Sequence, residues 1–393
     1  MSVPQTHDEA VATAHRIAAE LAPGAIQRDR DGATVIPSEA LAAIDSSGLL
    51  AITVPVADGG PGLGPRTLAE VARILAAADP SIAQVPQGHF LLVDVLALHA
   101  GPEARKRLFG EVLAGRRFGN ALAERGGKHA QDLRTTIAAG RLNGVKYYTT
   151  GALTSAWIAV SALDEQGRLV LAFVARDADG VAVDTDWDVI GQRATISGTA
   201  TFTGVPVEPA LRLAYANAYQ QPQQLGARAQ LYHAAIEVGI AGAALADARQ
   251  YLRTKARPST EAVRAGASIA ADDPHVKHRY GRLATRVRAA EALLDSAART
   301  LEEVTLSPAD ADAAARGSLA VAAAKAFGSE VAVEAGSELF QMCGTSSAAA
   351  KYDLDRHWRN ARTHSVHDPL DWKYAHIAAY ELAGVLPPNH GQL

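Results

Sequence analysis

The chain has 393 residues, 48% apolar and 20% charged, with a net charge of −4. That length allows a large buried core and two or three packed domains, and the charge balance gives no electrostatic ground for nucleic acid or an anionic membrane as partner. A single cysteine, Cys343, excludes an intramolecular disulfide framework and any cysteine-based metal cluster, which fits a reducing compartment. Met1-Ser2-Val3-Pro4 is not a charged segment leading into an apolar one, and no window reaches about 18 uninterrupted apolar residues. Neither a signal peptide nor a membrane span is read, and a cytoplasmic location is expected.

Residues 1–116 read as helix and loop. A helix is expected from Asp8 to Leu21, where Val11, Ala14, Ala18 and Leu21 fall at helical spacing. Ser38 is the expected N-cap of a second helix that stops at Gly48. The glycine-rich run Asp58 to Gly64 leads into Pro65, which suits the first turn of a third helix ending near Asp79-Pro80. One more helix carries Pro86, Gly88 and His89, and another runs from Pro102 to Leu113.

The pattern changes over 117–220. Short β-rich runs (Thr135–Ala138, Val145–Thr149, Trp157–Ala162, Leu169–Ala175 and Thr199–Thr203) alternate with Gly- and Asp-containing turns, predicting an antiparallel β-domain. Residues 221–393 are helical again and rich in alanine. Ala227–Lys255, His275–Val304 and Asp310–Met342 are long enough for a helical bundle, with Leu283, Val287, Ala290 and Leu294 as one apolar stripe. The fold class is therefore mainly α with a central β-domain.

The last forty residues are the most distinctive. Asp355-Arg356-His357-Trp358-Arg359-Asn360-Ala361-Arg362-Thr363-His364-Ser365-Val366-His367-Asp368-Pro369, followed by Gly384-Val385-Leu386-Pro387-Pro388-Asn389-His390, resembles the dibenzothiophene monooxygenase group and related sulfur-acquisition oxidoreductases. These are flavin-dependent monooxygenases sharing the acyl-CoA dehydrogenase fold, and the resemblance runs along the whole chain. It implies an N-terminal helical domain, a middle β-domain, a C-terminal four-helix bundle and a homotetramer. It also implies reduced FMN (FAD as the alternative) delivered by a separate NAD(P)H:flavin reductase, and dioxygen as co-substrate. A flavin 4a-hydroperoxide would then oxygenate a small organosulfur compound or amine.

By the same resemblance His367 sits over the flavin and helps form or hold the hydroperoxide, with His364 one helical turn before it. As residues alone, a His-x-x-His pair is equally a packing or capping pair, and no cysteine or acidic ligand falls at zinc spacing. Where common acyl-CoA dehydrogenases carry a glutamate base, this chain reads His-Asp-Pro. Asp368 is one methylene shorter, and with Pro369 it looks like the N-cap and first residue of a helix continuing to Ala383.

His89, in Gln87-Gly88-His89, matches a flavin-facing catalytic histidine of the group, though a lone histidine in an apolar helix is commonly a core residue. Val93 stands where the dibenzothiophene enzymes have a tyrosine. Asn120, in Phe118-Gly119-Asn120-Ala121-Leu122, matches an asparagine near the flavin's reactive edge, and an asparagine turn is the plain alternative. Ala123-Glu124-Arg125-Gly126-Gly127 departs from the dehydrogenase pattern that follows there.

In Lys146-Tyr147-Tyr148-Thr149-Thr150-Gly151 the resemblance assigns Tyr148 to stack on the flavin and Thr149 and Thr150 to bind it. Trp157, and Ser197 in the 191–198 loop, complete that pattern. Arg257 would hold the flavin phosphate across a subunit interface, and Gln341, Gly344, Thr345 and Ser346 would line the cofactor, as would Asp368. No metal ligand set is read. Two other readings stay open: a FAD-dependent acyl-CoA dehydrogenase with Asp368 as base, and a flavin-binding scaffold without chemistry.

Overall fold

The computed structural model describes residues 2–127, 132–307 and 310–391, with the side chain of Asn217 outside the description. The N-terminal region folds as α1 (His7–Leu21), α2 (Ala25–Asp31), α3 (Ser38–Asp45), α4 (Pro65–Ala78), α5 (Pro80–Gln84), α6 (Gln87–His99) and α7 (Pro102–Leu113). In α1 the Thr6 hydroxyl accepts the Glu9 N–H, and Ala10, Ala14, Ile17 and Leu21 form the buried stripe.

Two expectations here are corrected. Ser38 is the first helical residue of α3 rather than its cap, because Pro37 occupies the N-cap, and the helix ends at Asp45, before Gly48. The expected helix carrying Pro86 is two helices. Pro86 sits at the N-cap of α6, where its missing N–H costs nothing, and the backbone turns between α5 and α6. Asp79 accepts the N–H groups of Ser81 and Ile82, which fixes the start of α5.

The middle region holds β1 (Phe118–Ala121), β2 (Thr136–Ala138), β3 (Arg141–Lys146), β4 (Trp157–Leu163), β5 (Leu169–Ala175), β6 (Val181–Val183), β7 (Ala200–Pro206) and β8 (Arg212–Leu213). They form an eight-stranded sheet in the order β6-β7-β3-β2-β4-β5-β8, with β1 also paired to β4. The sheet is mixed, not antiparallel throughout. β1 runs parallel to β4, and β2 touches β4 in the same sense, because the β2–β3 hairpin fills the long return between β1 and β4. The run expected to continue to Thr149 ends at Lys146, since Tyr148 takes a left-handed φ of 56° that no strand accommodates.

β4 explains how the sheet joins two cores. Trp157 and Ala159 face a cluster with α6 and α7, while Ile158, Val160 and Ala162 face a second cluster with β7. Arg107 lies over the Trp157 ring, 4.9 Å from its centroid.

The C-terminal region comprises α8 (Leu225–Thr254), α9 (Thr260–Arg264), α10 (Pro274–Glu303), α11 (Ala311–Cys343), α12 (Arg356–Ser365) and α13 (Leu370–Ala383). The three long helices α8, α10 and α11 match the long alanine-rich stretches, and the Leu283–Leu294 stripe is buried as its spacing requires. Core residues of α8 also pack with those of α1 and α4, so the N-terminal helices and the bundle share one core. Residues 80–99, the one helical stretch among those described that is apolar enough to cross a membrane, are largely inside these cores.

Candidate active site

The site is assembled where α6, the 147–151 and 191–198 loops, and the α12–α13 junction meet the middle of α8. Gly88 is required by this crossing: a Cβ there would stand 2.5 Å from the Asn120 amide nitrogen. α6 and β1 are thereby brought into contact, with His89 and Asn120 side by side. The Asn120 N–H donates to the Thr150 carbonyl at 3.2 Å, which ties β1 to the next loop.

His89 is fully buried. The Phe118 N–H donates to its Nδ1 at 3.1 Å, so its proton lies on Nε2, which donates to the Leu50 carbonyl at 2.9 Å. Burial, joined by the Arg117 charge, drives its pKa down to about 4. Both nitrogens are committed to backbone, and a direct role toward a flavin would require breaking one of these bonds. Val93, one turn on, is in the core.

Three non-glycine residues with left-handed backbone cluster in the two loops: Tyr148 (φ 56°), Gln192 (φ 55°) and Ile196 (φ 48°). Such conformations persist where the surroundings over-determine them, and for β-branched Ile196 it is an outlier. Between these positions runs a hydroxyl chain. Thr195 Oγ1 donates to the Gln192 carbonyl at 3.0 Å, Ser197 Oγ donates to Thr195 at 2.9 Å, and Thr150 Oγ1 lies 2.7 Å from Ser197 Oγ. The Ser197 proton is already committed, so Thr150 must be the donor to it and keeps only lone pairs for a ligand. Thr149 turns inward and bonds the Gly198 carbonyl at 2.8 Å. The Tyr148 ring is half-exposed, edge-on to Trp187, with the Arg125 guanidinium 5.2 Å from its centroid.

The 191–198 loop is locked to the C-terminal motif. A Cβ at Gly191 would stand 2.0 Å from the Arg359 carbonyl oxygen, and the Gln192 N–H donates to Asn360 Oδ1 at 2.5 Å. Arg359 bonds Asp29 at 2.7 Å, Asp353 at 3.0 Å and the Ile190 carbonyl at 3.2 Å. His357 and Arg356 tie α12 to Asp247 of α8 at 2.8 and 2.6 Å, and despite burial they hold that carboxyl at about 2.

α12 then delivers its histidines to a polar cluster inside the bundle. His364 Nε2 lies 3.2 Å from His233 Nδ1, so one proton is shared between two buried imidazoles. The His367 ring is half-exposed, 4.2 Å centroid to centroid from His233. Beneath them Lys325 Nζ meets Glu237 Oε1 at 2.7 Å, both fully buried, and Ser329 donates to the other oxygen of Glu237. Burial first, then the neighbouring cations, pushes His233 and His364 well below the ordinary imidazole range, and burial pushes Glu237 up. Among the described residues no group of three His, Cys, Asp or Glu is arranged to hold a metal.

Asp368 does not cap α13. Pro369 occupies the N-cap position and the helix starts at Leu370, one residue too late for the Asp368 carboxylate to reach its free N–H groups. The side chain is turned inward instead, with Oδ1 3.2 Å from His367 Nδ1.

The other expected cofactor residues lie elsewhere. Trp157 is held in the core under Arg107. Arg257, Gln341, Gly344, Thr345 and Ser346 are exposed near the far ends of α8 and α11, where Tyr251 donates to Ser346 at 3.0 Å. His233 and Tyr251 are separated by about 27 Å of helix, a length greater than a flavin mononucleotide. Residues 128–131, which follow the Ala123-Glu124-Arg125-Gly126-Gly127 segment, lie outside the described residues. Glu124 pins the described flank, bonding Lys146 at 2.7 Å and the Arg134 N–H at 2.8 Å.

Comparison with known proteins now decides the family. Residues 4–116 match the acyl-CoA dehydrogenase N-terminal domain and residues 231–372 the acyl-CoA dehydrogenase C-terminal domain. A dibenzothiophene monooxygenase of Mycolicibacterium goodii is 31% identical over 396 aligned residues, covering 96% of this chain and 94% of that one. The chain belongs to the dibenzothiophene monooxygenase group of the acyl-CoA dehydrogenase family. A probable FMNH2-dependent monooxygenase, SfnC, of Pseudomonas putida is 33% identical, covering 95% of this chain and 94% of its own. FMN-bound TdsC from Paenibacillus sp. A11-2 superposes with a TM-score of 0.91 at 29% identity, covering 98% of this chain and all of that one.

Sequence reasoning missed His233, Glu237, Lys325, Ser329 and Lys373 in this monooxygenase-group chain. A signal was present: His233 and Glu237, and likewise Lys325 and Ser329, lie four apart inside otherwise apolar helical runs, hence on one inward face.

Proposed function

We propose that this chain is a two-component monooxygenase that takes reduced FMN and dioxygen and oxygenates a small organosulfur compound, with amines as the second substrate class. The observation that carries this reading is the Thr150 hydroxyl. Its proton is turned inward to Ser197, leaving an acceptor on a strained loop whose partner, the 191–198 loop, is bonded to Asn360 of the C-terminal motif. An acceptor suits the ring N–H groups of a reduced flavin. The relationship to SfnC and to FMN-bound TdsC supports FMN over FAD.

When bound, reduced FMN supplies the activation of dioxygen. The chain's own residues supply the rest. Tyr148 offers an aromatic face, and Asn120 an amide near the Thr150 loop. Thr149 and Ser197 hold the loop in place, and His364 and His367 are carried by α12 and the turn that follows it. His89 acts through position, stapling α6 to β1. The apolar packing of α6 excludes bulk water on that side, which favours oxygen transfer over loss of hydrogen peroxide.

Arg257 and the 344–346 turn are too far along α8 to reach the same flavin within one chain. In this reading they grip the phosphate of the flavin seated in a neighbouring subunit, and the active form is a homotetramer. A separate NAD(P)H:flavin reductase delivers the reduced cofactor, and the expected location is the cytoplasm.

The dehydrogenase alternative requires Asp368 as an accessible base, whereas its side chain is 1% exposed and faces His367. The test is anaerobic titration with reduced FMN and reduced FAD, then mixing with oxygenated buffer and a panel of sulfides, sulfinates and amines. Tighter binding of reduced FMN with an oxygenated product supports the reading. Peroxide alone across the panel overturns it.

A further inference from the structure

Among the described residues, Asp368 is the carboxylate with both oxygens buried and unbonded. Its side chain is 1% exposed, it caps no helix, and neither carboxylate oxygen has a hydrogen-bond partner among the described residues. An unsatisfied buried acceptor carries a penalty of about 1–3 kcal/mol, more for a charge, so an orphaned carboxylate calls for a function. The charges around it come from three elements: Lys325 on α11, Lys373 on α13, and Glu237 on α8 behind Lys325. Burial would raise its pKa, yet the contact with His367 and the two lysine charges hold it down at about 2. The carboxylate is therefore ionised and in need of a donor. The adjacent group with freedom to turn is His367, half-exposed, with Nδ1 at 3.2 Å and the alignment of a hydrogen bond not yet made.

We propose that Asp368 is a positioning residue for His367: it accepts the Nδ1–H, fixes the ring, and leaves the Nε2 lone pair facing the open side. The pair forms a histidine–carboxylate dyad in which the carboxylate sets the tautomer and the imidazole meets the reactants. The lysine charges keep Asp368 ionised, so it orients the ring without taking its proton. The position compared with the dehydrogenase base thus keeps a carboxylate but acts one residue removed from the chemistry. Use of Nε2 as an acceptor in oxygenation rests on the monooxygenase reading above; the dyad itself does not.

The test separates the two. Full-length, flavin-free protein labelled with ¹⁵N-histidine is examined by long-range ¹⁵N–¹H NMR at about pH 8.5, above the ordinary imidazole range, and H367N identifies the signals. Wild type is expected to show the proton on Nδ1 of His367. D368A is expected to move it largely to Nε2, the tautomer free histidine prefers. A wild-type proton on Nε2, or a D368A spectrum unchanged from wild type, overturns the proposal. If D368A does not fold, the wild-type spectrum alone decides. Failure of oxygenation with an intact Nδ1–H signal would overturn the monooxygenase reading and leave the dyad standing.

Discussion

The backbone N–H of Gln192 donates to the side-chain carbonyl of Asn360 at 2.5 Å, joining the sheet's strained loop to the helix that carries His364. N360A leaves that buried donor without a partner, at a cost of about 1–3 kcal/mol. The expected result is a modest fall in unfolding free energy and about a tenfold loss in reduced-FMN affinity, measured by urea unfolding and anaerobic titration. A stability loss with flavin affinity unchanged would show that the loop does not depend on α12.

The direction of the Thr150 hydroxyl makes a second prediction. T150V removes an acceptor, and a neutral hydrogen bond is worth about 0.5–1.5 kcal/mol. Binding of reduced FMN is expected to weaken about five-fold, with oxidised FMN affected less. Greater weakening of oxidised FMN, whose N5 accepts rather than donates, would mean that the hydroxyl acts as a donor.

His89 predicts a pH dependence of stability. Its folded pKa is about 4, below the ordinary 6.5, so between those values the unfolded chain holds a proton that the folded chain does not. Stability is full above about pH 6.5 and is lost as the pH falls toward 4, by about 3 kcal/mol for this residue. H89Q is expected to be less stable at neutral pH but to flatten the profile across that window. A profile of unchanged slope would contradict the buried, neutral histidine.

The Glu237–Lys325 pair is fully buried, so its two halves are unequal to the whole. K325M leaves Glu237 uncompensated and is expected to lower stability by about 3–5 kcal/mol, whereas the double variant E237L/K325M recovers most of it. Chemical denaturation of the three proteins checks this. No recovery in the double variant would assign the pair a role beyond charge balance.

The proposed sharing of flavin between subunits predicts complementation. R257A and H367N are each expected to lose most oxygenation. Mixed tetramers refolded from both are expected to regain a measurable fraction, because a site with an intact Arg257 from one chain and His367 from the other is then possible. Mixtures no more active than their components would place both residues' effects within one chain.

The long helices were legible because periodicity survives over thirty residues: Leu283, Val287, Ala290 and Leu294 are buried as their spacing requires. Parallel pairing of β1 with β4 was not, since short strands carry no mark of their direction. The motif names His364 and His367 by residue type, and the structure places both rings against His233. The site was obscure where function depends on which way a side chain turns. Asp368 reads as a helix cap until the helix is seen to start at Leu370. His233 sits 131 residues before His364, and Lys325 lies on a different helix from the motif, both in runs whose alanine content speaks of packing alone.

The close approach of Gly191 to the Arg359 carbonyl bears on how the protein is made. The loop and its lock are 168 residues apart in the chain, as Gln192 and Asn360 mark. On the ribosome the sheet emerges long before α12, so its 191–198 loop waits for almost the whole chain before it can take its final shape. Premature termination between Leu213 and Asn360 would release a protein with the whole sheet but an unset loop, and a late frameshift would be as damaging to the 191–198 loop as a substitution within it.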